Sequence, residues 1–338
     1  MHKPSLHIIS LLLAAGGMCA CHPIEEFPDD RRGDFDALWT AVDEHYCFFA
    51  EKDVDWNDVY ARYSPVVSEG MSERQFFSVC ADMINELRDG HTNLSSAFET
   101  SYYRNWWSDY PQNFNLRLIE QYYLNFDYKQ VGGVMYGTLP QNVGYVYIPS
   151  FNSGLGNSNI DWVLTDLNAC NGLIIDLRDN GGGSMANAEN WVRHFILEER
   201  TVGYMVHKTG PGHNDFDEPY PIRFKPLDEY NYVWIKPVVI LTNRSTFSAA
   251  NYMVMCMRAL PNVTHAGATT GGGAGMPLTL EIPGGWSVRM SAVRVLDAEG
   301  RLTEEGIAPD AGCAVDLDPQ LALDGHDSML DFAISLIK

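Results

Sequence analysis

The chain has 338 residues, 46% of them apolar and 12% aromatic, which is a globular composition with room for one large core or two modest ones and excludes a disordered chain. With 23 basic against 44 acidic residues the formal charge is -21, and no basic run exceeds the pair Arg31-Arg32. Phosphate binding needs a clustered cationic surface, so a nucleic-acid partner is excluded.

The chain opens with "MHKPSLHIISLLLAAGGMCACHPIEEF", in which Lys3 precedes the apolar run Ile8 to Ala15 and small residues lead to Cys19 and Cys21. This is a secretory signal, too short to stay in a bilayer as a helix. An apolar run, a small residue and then Cys21 resembles a bacterial lipoprotein signal. Residues 1–21 are therefore expected to be a signal peptide, with Cys21 lipidated and the protein exported and tethered to a membrane of the cell envelope. Plain cleavage without lipid is the alternative. No other apolar segment reaches the roughly 18 residues that a span needs. The later cysteines, Cys47, Cys80, Cys170, Cys256 and Cys313, are an odd, scattered set without C-x-x-C, which makes a poor disulfide framework and a poor zinc site. They read as buried small apolar residues.

In "DFDALWTAVDEHYCFF", Phe35, Leu38, Trp39, Val42 and Tyr46 recur at three- and four-residue spacing, which predicts an amphipathic helix. A second helix follows in "MSERQFFSVCADMINELRDGHT": Ser72 and Gln75 have the spacing of a capping box, and Phe76, Phe77, Cys80, Met83, Ile84 and Leu87 share a face. It is expected to stop near Asp89-Gly90, where Gly favours the left-handed cap. Residues 22–95 thus read as a helical N-terminal region. Residues 96–142, rich in aromatics, read as connecting short strands and loops.

From residue 143 the texture changes to strand-then-helix units. "VGYVYIPSF" is a strand, "DWVLTDLNAC" a helix, "GLIIDLRDNGGG" a buried strand entering a glycine turn, and "MANAENWVRHFIL" a helix. After an irregular stretch (201–236) the order recurs as "PVVILTNRSTFSAANYMVMCMRAL". This alternation predicts an α/β domain over 143–338.

Two of these units carry candidate chemistry. In "DNGGGS" the Gly181-Gly182-Gly183 run exposes backbone N–H groups at the end of a buried strand, an anion cradle for a phosphate or an oxyanion, or a tight turn needing positive φ. It lacks the lysine of a phosphate loop. Ser248 holds the equivalent place in the next unit, so its hydroxyl would lie at the strand's C-terminal edge with the Ala249 N–H beside it as an oxyanion donor. A helix cap is the other reading of that serine. A serine nucleophile needs a base, and no lysine lies between Pro237 and Ile337. Among the histidines, His91 follows Gly90 in a loop from which its ring can enter a cleft. Glu304 and Glu305 in "LTEEGIAPD" are the acids able to orient an imidazole, or they are a solvated charge pair.

Taken together and in this order, "ELRDGHTNL", "GLIIDLRDNGGGS", "VILTNRSTFSAANYMV", "GATTGGGAG" and "EEGIAPD" resemble the C-terminal-processing (tail-specific) serine peptidase family, and in particular its tricorn-like branch. The resemblance runs from about residue 34 to the end. It implies a crotonase-like α/β fold, a Ser248 nucleophile, a peptide or protein substrate and no metal or other cofactor. In many members a lysine in a downstream glycine loop is the general base, but here Gly273 stands at that place, so the Ser-Lys mechanism is ruled out. The tricorn-like branch uses an N-terminal-region histidine, matched by His91, and a glutamate before "G-[VI]-x-P-D", matched by Glu304 or, as an alternate, Glu305. The tricorn pattern has a serine before the histidine where this chain has Gly90, so any such role would pass to Thr92. The oxyanion donors implied are Gly182, with Gly181 as an alternate, and Ala249. About 45 residues separate Leu94 from Val143, too few for the PDZ module many relatives carry, so none is expected. Two other classes remain compatible with the pattern: an inactive peptide-binding lipoprotein of this fold, and a crotonase-like enzyme acting on an acyl thioester.

Overall fold

The computed structural model describes residues 27–337; the expected signal peptide and the lipid attachment at Cys21 lie outside the described residues. A six-stranded sheet forms the middle of the molecule, with spatial order Lys129–Val131, Val134–Leu139, Val143–Tyr147, Leu173–Asp176, Val238–Thr242, Val263–Gly267. Its last four strands are parallel, and its first two join antiparallel. The parallel strands read as continuous apolar runs because both faces are covered. Val146, Ile175 and Ile240 pack under the helices Asn157–Asp166, Met185–Arg193 and Ala249–Arg258. Tyr145, Ile174 and Val239 point the other way, onto the C-terminal helix Ser328–Leu336. The two strands at 129–139 thus belong to the same sheet as the expected α/β domain and extend it below residue 143. The rest of the connecting stretch is loop with a short helix at Asn105–Ser108 and a helical turn over Leu116–Tyr123, where short strands were expected.

The helices Arg31–His45 and Glu73–Asn85 form as their spacing predicts, and both arms of the Ser72/Gln75 capping box are made. The second helix, however, ends without help from Gly90: its exit passes through Arg88 in the left-handed region, at φ 50°. The buried faces of these helices close on Trp286, Val288 and Met290, so the core of the N-terminal region is completed by a strand some 200 positions downstream. That strand, Trp286–Asp297, is the middle of a second, antiparallel sheet with Asn93–Ser95, Gly275–Ile282, Arg200–His207 and Tyr220–Phe224. The stretch 201–236, read as irregular, supplies two of these strands. Alternating burial along an edge-exposed sheet is a weaker signal than the continuous apolar runs of the parallel one. All five later cysteines are buried and unpaired as thiols.

Candidate active site

Ser248 sits between the strand Val238–Thr242 and the helix Ala249–Arg258, at φ 57° and ψ -122°. A non-glycine residue in this region costs about 1–3 kcal/mol and persists only where its surroundings over-determine it. Here they do. The Ser248 N–H donates to the Gly272 carbonyl at 2.9 Å, Phe247 N–H donates to the Asn180 carbonyl at 3.0 Å, and nine of the ten following helical residues are buried. The turn lifts the serine hydroxyl out of the helix end, and its side chain makes no capping bond.

The glycines of both motifs are explained by close packing on this turn. A Cβ on Gly182, whose φ is +98°, would lie 2.8 Å from the Ser248 Cβ, and the Gly272 backbone lies directly against the Glu304 carbonyl. The loop "TTGGGAG" is therefore clamped between the serine turn and the segment carrying Glu304, with Gly273 N–H donating to the Glu304 carbonyl at 3.1 Å.

His91 arrives from the other side of the molecule. It stands just before the edge strand Asn93–Ser95, which pairs with Ser287–Arg289 through Asn93 to Arg289 and Leu94 to Val288. Its N–H donates to Asp89 Oδ1 at 2.7 Å. The imidazole Nε2 lies 2.9 Å from Ser248 Oγ. His91 is only 4% exposed, and burial lowers its pKa to about 4 against the opposing pull of Asp89; Arg289 lowers it further. The Gly275 carbonyl faces the ring and favours its charged form, yet Nδ1 makes no hydrogen bond of good geometry.

Glu304 is buried beside this pair without joining it. Its carboxylate accepts the Ala274 N–H at 2.8 Å and lies 3.2 Å from Lys52 Nζ, and among the described residues no hydrogen bond links it to His91. Burial, then the nearby Asp89, pushes its pKa up, while Lys52 pulls it down. Glu305 points to solvent, its side chain 71% exposed, and takes Lys52 at 2.6 Å. Thr92 is buried with its hydroxyl unpartnered and does not reach the imidazole by a hydrogen bond.

The oxyanion cradle is displaced by one residue from its expected place. Gly182 N–H is engaged by Asn180 Oδ1 at 2.9 Å, and Gly181 does not line the cavity beside Ser248. Gly183, at φ +136°, does line it together with Ala249, and neither N–H has a partner among the described residues. A run of three glycines offers three N–H groups, and sequence alone cannot say which faces the serine. The cavity holds about 80 Å³ and is walled largely by Met185, Tyr252, Met255, Met276 and Val295, with Arg289 as its charged member.

A family model described as Peptidase family S41 matches residues 142–312. The chain belongs to this family. A second model, described as the tricorn protease C1 domain, matches residues 27–85. The S41 chain is 45% identical to a crystal structure of a candidate peptidase from Parabacteroides merdae, covering 91% of this chain and 96% of that one with a TM-score of 0.85. It is 28% identical over 170 residues to the carboxy-terminal processing protease CtpA of Bacillus subtilis, a match over 50% of this chain and 34% of that protein. The chain thus spans about a third of the length of that curated relative. A crystal structure of the tricorn protease shares the fold, at 14% identity and a TM-score of 0.53 over 91% of this chain and 36% of that one. The resemblance to the family and to its tricorn-like branch is thereby upheld, as is the mixed α/β, crotonase-like S41 fold with its helical N-terminal region. S41 is a family of serine-type peptidases.

The S41 assignment by itself does not explain what surrounds His91. Sequence reasoning missed Lys52, Asp89, Phe247 and Trp106, all close to the Ser248–His91 pair or to Glu304, and the first, second and last carried no signal of a role in the site. Phe247 was adjacent to the serine and was legible in retrospect as an apolar residue in a polar turn.

Proposed function

We propose that this protein is a serine endopeptidase in which Ser248 is the nucleophile and His91 its general base. The 2.9 Å contact between His91 Nε2 and Ser248 Oγ carries this reading. With a pKa lowered to about 4, the imidazole is neutral and able to accept a proton throughout the neutral range. His91 takes the Ser248 proton as Oγ attacks a peptide carbonyl; the oxyanion is received by the Ala249 and Gly183 N–H groups; the imidazolium then protonates the leaving amine, and water completes the cycle. Asp89 and the Gly275 carbonyl stabilise the imidazolium. Glu304 acts at one remove, holding Ala274 and hence the Gly275 carbonyl against the ring, with Lys52 as its counter-charge.

The Met- and Tyr-walled cavity beside Ser248 favours substrates with an apolar side chain next to the scissile bond, since an ammonium there would lose its hydration beside the Arg289 cation with no acidic residue in the lining to pair it. The lipoprotein-like signal and Cys21 support exported protein or peptide substrates met from a membrane tether.

Ser248→Ala and His91→Asn should each lower kcat/KM on unstructured apolar peptides by at least about a thousandfold, with far-UV circular dichroism unchanged. Undiminished hydrolysis by the folded Ser248→Ala protein would sink the assignment.

A further inference from the structure

The buried His91 ring faces the Gly275 carbonyl, yet its Nδ1 makes no hydrogen bond of good geometry that would fix its plane. The group packed against that plane is Phe247. Its ring lies 4.9 Å from the His91 ring at 49°, and on its far side the Trp106 indole stacks on it at 4.0 Å and 21°. Glycines surround this stack. A Cβ on Gly273 would stand 2.5 Å from Phe247 ring atoms, one on Gly90 would stand 2.6 Å from Trp106 Nε1 and 2.9 Å from Phe247 Cζ, and one on Gly271 would stand 2.4 Å from Trp106 Cζ3. Real Cβ atoms essentially never come so close, so each side chain omitted makes room for the rings. Gly273, which the resemblance sets at the place of the family lysine, has φ +76°, and the Phe247 ring occupies the space into which a side chain there would begin.

We propose that Phe247, backed by Trp106, is a positioning residue that holds the His91 imidazole in the plane facing Ser248 and keeps water from it, in place of a hydrogen-bonded carboxylate. The proposal rests on the reading of Ser248 and His91 as nucleophile and base. Phe247 precedes the serine, so nucleophile and brace share one over-determined turn, and the distance between Oγ and Nε2 is set by packing on that turn. Trp106 is pinned in turn by Arg244, whose Nε donates to its carbonyl at 2.5 Å. The charged groups facing His91 are Asp89 on its own loop and Arg289 on the adjoining strand, with Glu304 and Lys52 behind the Ala274 backbone. The phenyl ring carries no charge, so its removal changes hydration of the imidazole rather than its charge partners.

The test reads His91 directly. In the Ser248→Ala protein, the His91 Cε1–H resonance should titrate well below the ordinary histidine range; adding Phe247→Ala should move the midpoint up by at least one pH unit, because burial is the largest cause of its depression. In the otherwise native enzyme, Phe247→Ala should lower kcat tenfold or more with little change in KM and carry the acid limb of kcat/KM upward by the same interval. Trp106→Phe, which keeps a ring in the stack, should stay near the native profile. If Phe247→Ala does not fold, Gly90→Ala enters the same stack from the His91 side and should give the same upward shift. A folded Phe247→Ala or Gly90→Ala protein whose His91 midpoint stays at the native value overturns the proposal. The resonance titration stands even if the protein hydrolyses no peptide, so failure of the brace and failure of the peptidase reading are told apart.

Discussion

Ser248 and His91 are delivered by two regions built on different terms. The serine belongs to a strand, turn and helix contiguous in sequence, with all five strand residues and nine of ten helix residues buried against the central sheet. The histidine belongs to a loop between a helix and an edge strand, and its place depends on the cluster of Phe76, Phe77 and Met83 with Trp286, Val288 and Met290. The nucleophile is thus held within the central sheet and the loops at its edge, and the base by docking across some 200 positions. Disturbances far from the chemistry should therefore reach His91 more readily than Ser248.

The largest effect expected from this contrast is at Phe76, which is 1% exposed and packs on Trp286 with ring centroids 5.3 Å apart. Phe76→Ala should cost about 3–5 kcal/mol, and peptidase activity should vanish at a lower urea concentration than the far-UV signal. Ile240→Ala, in the parallel sheet, should cost about 2–5 kcal/mol with both signals lost together. Coincident transitions in both variants would show one cooperative unit and break the contrast.

Next comes Lys52, whose side chain is 6% exposed and whose ammonium joins the N-terminal region to Glu304 and Glu305. Lys52→Met leaves Glu304 buried without its cation, at a cost of about 3 kcal/mol when that carboxyl must ionise. Because burial raises the folded-state pKa of Glu304 from its ordinary 4.5 to about 8, the stability it threatens is intact below the ordinary value and is lost as pH rises through the folded one. The deficit measured by urea unfolding should accordingly be larger at pH 8 than at pH 5, and Glu304→Gln in the same protein should recover most of it. An equal deficit at both pH values would remove Glu304 as its source.

The smallest effect is at the capping box. Ser72→Ala removes the acceptor of the Gln75 N–H at the start of the helix that leads to His91, at about 1 kcal/mol, and should leave kcat/KM within about twofold of native at neutral pH. A larger loss of activity would mean that strain travels along this helix to the base.

The architecture was legible wherever a residue's environment is set by its neighbours in the chain. Continuous apolar runs marked the parallel strands, the Ser72 and Gln75 spacing marked a helix start, and the glycines of "DNGGG" and "TTGGGAG" marked close backbone approach, all of which follow from short-range geometry. The antiparallel strands at Arg200–His207 and Tyr220–Phe224 were not legible, since their partners come from elsewhere and one face stays wet. In the site, residue pattern left Ser248 as a nucleophile or a helix cap and His91 as one loop histidine, and the ordered motifs with the family resemblance singled them out. That Oγ and Nε2 stand 2.9 Å apart, that Gly183 rather than Gly182 has its N–H free, that Glu304 faces Lys52, and that Phe247 fills the place beside Gly273 were decided only by tertiary packing. The reason is physical: a residue type limits the chemistry a side chain can do, but pairing, hydration and orientation depend on atoms that the chain brings near only when two separate cores close on each other.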